Sequence, residues 1–265
     1  MMDRVFDLVQ GEGPIVATAI HDGHELREEV ASLIALSDEQ RLREEDPYTG
    51  EWTKIAPTRL VATRSRFEFD LNRPREKAVY AEPADAWGLD LWKAPPPEPL
   101  LRRSLERYDA FYVELGRVLN GLIERFGGVV VLDLHTYNHR REGPTGQRAD
   151  PAENPEVNVG TGTLDRKRWA PVVDRCMTDL REHDFMGRSL DVRENVKFRG
   201  GNMSRWINQG FDGKACSIAL EFKKFFMDEW SGEVDRQVYE QIGPALRSAA
   251  SGLKTELDHV LSGAA

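Results

Sequence analysis

The sequence predicts an α/β fold of three layers, with helices on both sides of a mostly parallel central sheet, and three observations predict it. Short apolar runs rich in β-favouring residues alternate with amphipathic helical runs along the 265 residues. One run, residues 129–135, is apolar on both faces, as a strand in the middle of a parallel sheet must be. The strands also end in polar groups, His21, Asn72 with Arg73, His135 and Glu221, at the edge where open parallel sheets place their ligand crevice. The length suits a single domain over residues 1–265.

The first strand reads at residues 14–20 and stops at His21. Residues 26–42 are charged and helical in period, and Pro47 breaks that helix just after the acidic run Glu44, Glu45 and Asp46. A second strand is expected over 59–71, leading into Asn72 and Arg73 ahead of Pro74. Residues 81–99, rich in Pro, Ala and Trp, read as an ordered linker or polyproline turn. From Leu101 to Phe126 apolar residues recur at three- and four-residue spacing, which is a long amphipathic helix, and Gly127 stands where a left-handed cap is needed. After the strand 129–135, residues 138–165 carry three prolines and few large apolar side chains and read as one long loop, a length that usually serves a site. A helix over 166–184 and a short strand over 189–193 precede a turn at 198–205, where Gly200 and Gly201 allow close approach of the backbone to a ligand. A buried strand at 215–222 carries Glu221, and a helix over 234–260 closes the chain.

Composition narrows the function. Lys and Arg total 36 against 45 Asp and Glu, a formal charge of −9, and a negative field repels phosphate backbones, so nucleic acid is not an expected partner. No window holds 18 uninterrupted apolar residues, and Asp3, Arg4, Asp7 and Glu12 fall where a signal peptide needs an apolar run; neither a membrane partner nor secretion is expected. The two cysteines, Cys176 and Cys216, are too few for a disulfide framework and suit a reducing, cytoplasmic setting.

His21 and His135 each end a strand, so their imidazoles can lie side by side although 114 residues separate them. Two imidazoles and one carboxylate make a catalytic zinc site with an open position for water. The acidic ligand comes either from Glu25 or from the run Glu44, Glu45 and Asp46. A hydrogen-bonded core histidine is the competing reading of His135 and a surface loop residue that of His21; Asp133, two residues before His135 on the same strand face, favours a ligand oriented by a carboxylate, with structural pairing to an arginine as its alternative. His24 and His139 are spare imidazoles nearby. Asn72 and Arg73 put an amide and a planar guanidinium at the crevice, suited to a carboxylate or to a carbonyl oxygen gaining charge, with a structural ion pair as the alternative for Arg73. Arg205 is a second candidate clamp for an acidic substrate or else a solvated loop charge. Glu221 sits in an apolar strand, where a carboxylate needs a partner or a cavity, and can act as general base and then as acid, with a structural carboxylate paired to Lys223 or an arginine as the alternative.

Taken in order, these residues resemble the N-formylglutamate amidohydrolase family, similar in plan to zinc carboxypeptidases and aspartoacylase, from Ile15 to Glu229. The resemblance is carried by His21 after the first strand, the acidic segment Glu44 to Asp46, and the string from Ser65 and Arg66 through Asp70, Asn72, Arg73 and Pro74. Asp133 with His135 and Thr136, then Phe198 to Gly201 with Arg205, and finally Glu221 through Asp228 and Glu229 complete it. It implies a phosphorylase/hydrolase-like, zinc carboxypeptidase-like fold and one zinc ion per chain. His21 and His135 would hold the zinc together with either Glu45 or Asp46. It further implies hydrolysis of the amide of an N-formyl or N-acyl acidic amino acid, with formate and glutamate as the typical products and histidine degradation as the setting. Glu221 would be the base, Asn72 and Arg73 would meet the substrate carboxylate or scissile carbonyl, and Arg205 the other acid. A carboxypeptidase- or aspartoacylase-like hydrolase and a non-catalytic binder of acidic metabolites are the alternatives.

Overall fold

A computed structural model describes residues 5–263, so Asp3 and Arg4 of the leader argument lie outside the described residues. Seven strands form one sheet: β1 (Phe6–Val9), β2 (Ile15–Ala19), β3 (Thr58–Ala62), β4 (Val129–Tyr137), β5 (Val157–Gly160), β6 (Val192–Glu194) and β7 (Ala215–Lys223), in the order β1-β3-β2-β4-β7-β5-β6. The inner block β3, β2, β4 and β7 is parallel throughout, as are β5 and β6; β1 against β3 and β5 against β7 are antiparallel. The chain runs from β2 to β3 on one side and then to β4 on the other, so the winding reverses between β2 and β4. A crevice opens beyond the strand ends at such a reversal, and His21 and His135 come from those two strands.

The helices are α1 (Glu28–Ala31), α2 (Asp38–Glu44), α3 (Thr49–Trp52), α4 (Glu98–Phe126), α5 (Ala170–Glu182), α6 (Asn202–Gly210), α7 (Arg236–Ser251) and α8 (Leu253–Ser262). Alternation along β4 divides the core. Val130, Leu132 and Leu134 face α5, α7 and α8 in one apolar cluster, while Val129 and Val131 face α4 and α6 in another. The long helix α4 ends at Gly127 (φ 81°), whose N–H caps the Ile123 carbonyl in the left-handed geometry its position anticipates.

Several elements differ from the sequence expectation. The strand expected over 59–71 stops at Ala62, because the residues beyond it do not share one sheet face. Phe67 joins a satellite cluster with Tyr80, and Phe69 and Leu71 join the α4 cluster. Between them Glu68 pairs with Arg27 at 2.5 Å and Asp70 with Arg66 at 2.7 Å. Asn72 and Arg73 therefore reach the crevice from an irregular segment. The helix expected over 26–42 is two, with Ser37 and Gln40 forming a capping box that starts α2. The loop expected over 138–165 contains β5, and the closing helix is interrupted at Gly252, where a Cβ would meet the Arg175 guanidinium at 2.4 Å. β1 and α6 were not anticipated; Met203 and Ile207, one turn apart and buried, are the helical signal within the glycine turn.

The segment after β2 is pressed against the end of β3. A Cβ on Gly23 would come within 2.4–2.6 Å of backbone atoms of Thr63 and Arg64, which cannot yield. Gly23→Ala is expected to cost about 1–3 kcal/mol of unfolding free energy, measured by urea titration, and a loss within error would show that this contact is not tight.

Candidate functional site

At the reversal between β2 and β4, three buried side chains meet. His135 Nδ1 stands 2.9 Å and His21 Nδ1 3.3 Å from the same oxygen, Oδ2 of Asp46, and the two rings are 4.9 Å apart. One ligand atom from each residue lies within 4.8 Å of the others. Asp46 is aimed by three bonds: its N–H donates to the His21 carbonyl at 2.9 Å, its Oδ1 accepts from the Thr136 hydroxyl at 2.9 Å, and its carbonyl accepts from the Thr49 hydroxyl at 2.7 Å.

The outer nitrogens of both rings face carboxylates. His21 Nε2 is 2.7 Å from Asp70 Oδ1, and His135 Nε2 is 3.0 Å from Asp133 Oδ2, out of line for a hydrogen bond. Asp133 is itself fixed by the Thr18 hydroxyl at 2.9 Å. Asp70 is fully buried and also accepts from the Asn72 N–H, the Arg66 guanidinium and the Tyr80 hydroxyl. Glu221, in register with His135 on the neighbouring strand, presents a fourth carboxylate on the same face.

These charges shift one another. Burial works against ionisation of Asp46 and Asp70, yet the two imidazoles hold the first carboxyl, and Arg66 with His21 the second, well below the ordinary range. Burial also opposes protonation of His135, but Asp133 and Glu221 raise its pKa well above that of a free imidazole. Burial pushes Glu221 up to about 7. Two Nδ1 atoms and a carboxylate oxygen converging on one point, with each outer nitrogen on a carboxylate, are a donor set that fits a divalent cation.

Of the acidic candidates, Asp46 alone joins the imidazole pair. Glu45 is fully buried but turned away, with Oε2 2.5 Å from His24 Nδ1 and Oε1 accepting from the Ser65 hydroxyl. Glu44 binds Arg141 at 3.0 Å, and Glu25 is exposed opposite Arg64. His139 is held apart by Glu229, which accepts from the His139 and Arg140 N–H groups.

Beside the three residues lies a cavity of about 280 Å³ whose wall includes six cations, Arg43, Arg66, Arg73, Arg141, Arg199 and Lys224, against three carboxylates, Glu44, Asp46 and Glu221. Asn72 lines it too, with its Oδ1 accepting from the Met203 N–H at 3.2 Å, and Gly201 leaves room for that amide. Lys224, buried, donates to the carbonyls of Arg43 at 2.6 Å and Glu45 at 2.8 Å, and burial lowers its ammonium to about 8. Arg205 stands exposed on α6 and is not part of this wall. Starting a helix at Asn202 turns Arg205 away from Met203 and Ile207, out to solvent. Sequence reasoning missed Asp70 as the partner of His21, Arg66 as the counter-ion of that buried carboxylate and Arg199 as a wall residue. An arginine four residues before Asp70 was the available signal for the second.

The chain matches the family model described as N-formylglutamate amidohydrolase over residues 13–226. Among solved structures it is similar to an N-formylglutamate amidohydrolase from Ralstonia eutropha JMP134 at 19% identity and TM-score 0.78, covering 98% of this chain and 100% of that one. It is also similar to a gene product of Agrobacterium tumefaciens at 16% identity and TM-score 0.59, covering 99% and 96%. Comparison with curated proteins gives no match.

Asp70→Asn keeps the shape but leaves the largely covered Arg66 guanidinium without its counter-charge inside a buried carboxylate site. The expected loss is about 3–5 kcal/mol of unfolding free energy in urea, and a loss below about 1 kcal/mol would remove Asp70 from the centre of this network.

Proposed function

The chain belongs to the N-formylglutamate amidohydrolase family, and from that premise we propose that it is a zinc-dependent hydrolase of the amide bond in an N-formyl or N-acyl acidic amino acid, with N-formyl-L-glutamate giving formate and L-glutamate as the preferred reaction. The observation that carries this reading is the cationic cavity beside the buried His21, Asp46 and His135 group. In a chain of formal charge −9, a wall of six cations is a local arrangement that favours a small anion.

His21, Asp46 and His135 would hold the zinc ion, one per chain, with Glu45 excluded by its bonds to His24 and Ser65. Zinc in such a site supplies Lewis acidity toward the acyl carbonyl and makes water acidic near neutral pH. Asp70 fixes the His21 ring by a hydrogen bond, and Asp133 draws the outer nitrogen of His135 electrostatically, so that both Nδ1 atoms point toward Asp46. Glu221, without a hydrogen-bond partner among the described residues and lifted toward neutrality by burial, takes the proton of the attacking water and returns it to the departing amide nitrogen. Arg73 and Asn72 meet the substrate carboxylate or the oxyanion of the tetrahedral intermediate. The partner is a small acidic molecule. Among the described residues no helix is long and apolar enough to cross a membrane. Both cysteines are buried and unpaired, consistent with the cytoplasmic setting proposed here.

Glu221→Gln is expected to keep about one zinc per chain while lowering kcat by roughly 100- to 10,000-fold; full turnover would take the proton-transfer role from Glu221. His135→Ala should lose the metal on gel filtration, read by elemental analysis, and full occupancy would contradict its assignment. Assayed side by side, N-formyl-L-glutamate should be cleaved faster than N-acetyl-L-aspartate or short peptides, and the reverse order would move the chain to the aspartoacylase-like or carboxypeptidase-like alternative.

A further inference from the structure

We propose that Arg199 seats the side-chain carboxylate of the substrate and so selects a dicarboxylic N-acyl amino acid over one with a neutral side chain. This rests on the hydrolase reading of the same cavity. Of the six cations in the wall, Arg43, Arg66, Arg141 and Lys224 are engaged within the protein, and Arg73, loosely held, is the one that meets the α-carboxylate or the oxyanion in the hydrolase reading. Arg43 lies 3.3 Å from Glu44 and 4.0 Å over the Trp230 ring, Arg66 binds Asp70 at 2.7 Å, and Arg141 binds Glu44 at 3.0 Å. Arg73 sits 4.0 Å from Asp70 and 3.5 Å from the Asp85 carbonyl, and Lys224 donates to two backbone carbonyls. The Arg199 guanidinium alone has no hydrogen bond or ion pair among the described residues, although Arg199 lines the cavity.

Its backbone is nevertheless held firmly. Asn158 Oδ1 accepts from the N–H groups of Lys197 at 2.8 Å and Phe198 at 3.3 Å, and its Nδ2 donates to the Phe198 carbonyl at 2.8 Å. The Gly162 N–H donates to the Arg199 carbonyl at 2.8 Å. Gly162 also makes room for the side chain, since a Cβ there would lie 2.8 Å from Arg199 Cβ and 3.0 Å from its Nε. A fixed stem bearing an unused planar fork of donors is suited to a carboxylate.

Position separates the two substrate acids. The α-carboxylate is attached to the carbon that bears the scissile nitrogen, so it stays beside the buried histidines. The side-chain carboxylate of a glutamyl group is two methylenes farther out and extends to the open rim, where Arg199 is exposed, whereas Arg66 is only partly exposed and bound to Asp70.

The test compares kcat/KM for N-formyl-L-glutamate and N-formyl-L-glutamine in the wild-type protein, Arg199→Met and Arg199→Lys, each loaded with zinc and checked for unchanged Tm. Arg199→Met should lose roughly 30- to 100-fold on the glutamate substrate and less than about 3-fold on the glutamine one, with Arg199→Lys between. Equal losses on both substrates, or no loss, would overturn the assignment. Calorimetric titration with glutarate separates this seat from the reaction. Weaker glutarate binding in Arg199→Met supports the seat even if the wild-type protein cleaves neither formyl compound, an outcome that would sink the hydrolase reading alone. Glutarate binding that is undetectable, or equal in the two proteins, overturns the seat whatever the turnover.

Discussion

Four carboxylates, those of Asp46, Asp70, Asp133 and Glu221, converge on two imidazoles inside the protein, and the rest of the site is arranged around that concentration of negative charge. Removing such groups from water is costly unless each finds partners. Asp70 is satisfied most fully, by Arg66, Tyr80, His21 and the Asn72 N–H, and this one residue joins the segment after β3 to the end of β2. Asp46 has no guanidinium of its own. Its charge is met by the two rings and the Thr136 hydroxyl, a set that a divalent cation would complete.

The sheet makes this convergence possible. Because the winding reverses between β2 and β4, no crossover covers the space above their ends, and residues far apart in the chain open into it. Strand alternation then sorts chemistry from packing. Leu132 and Leu134 point into the core against α5, α7 and α8, while Asp133 and His135 point to the other face, beside Glu221.

Much of this was legible in the sequence because His21, His135 and Glu221 each terminate an apolar run, and a strand end is a local signal. The choice between Glu45 and Asp46 was not legible. Adjacent residues differ in direction, and the direction is set by Thr136, Ser65 and His24, contacts that span the chain. Asp70 escaped for the same reason, since its partner His21 is 49 residues away. The strand expected through residue 71 failed because alternation of Phe67, Phe69 and Leu71 with charged residues imitates a sheet edge, whereas buried ion pairs at Glu68 and Asp70 hold it as a folded-over segment. Arg205 was chosen from a stretch that reads as a glycine-rich turn, but the helix beginning at Asn202 carries it to solvent, while Arg199, ahead of that helix, lines the cavity.

Lys224 fastens the carbonyls of Arg43 and Glu45 to the end of the strand that carries Glu221. The peptide just ahead of Asp46 and the strand bearing the proposed base are thereby welded into a single mechanical unit. A substitution that frees the Lys224 ammonium would therefore loosen both pieces of the cavity floor at once, and with them the spacing between Asp46 and Glu221.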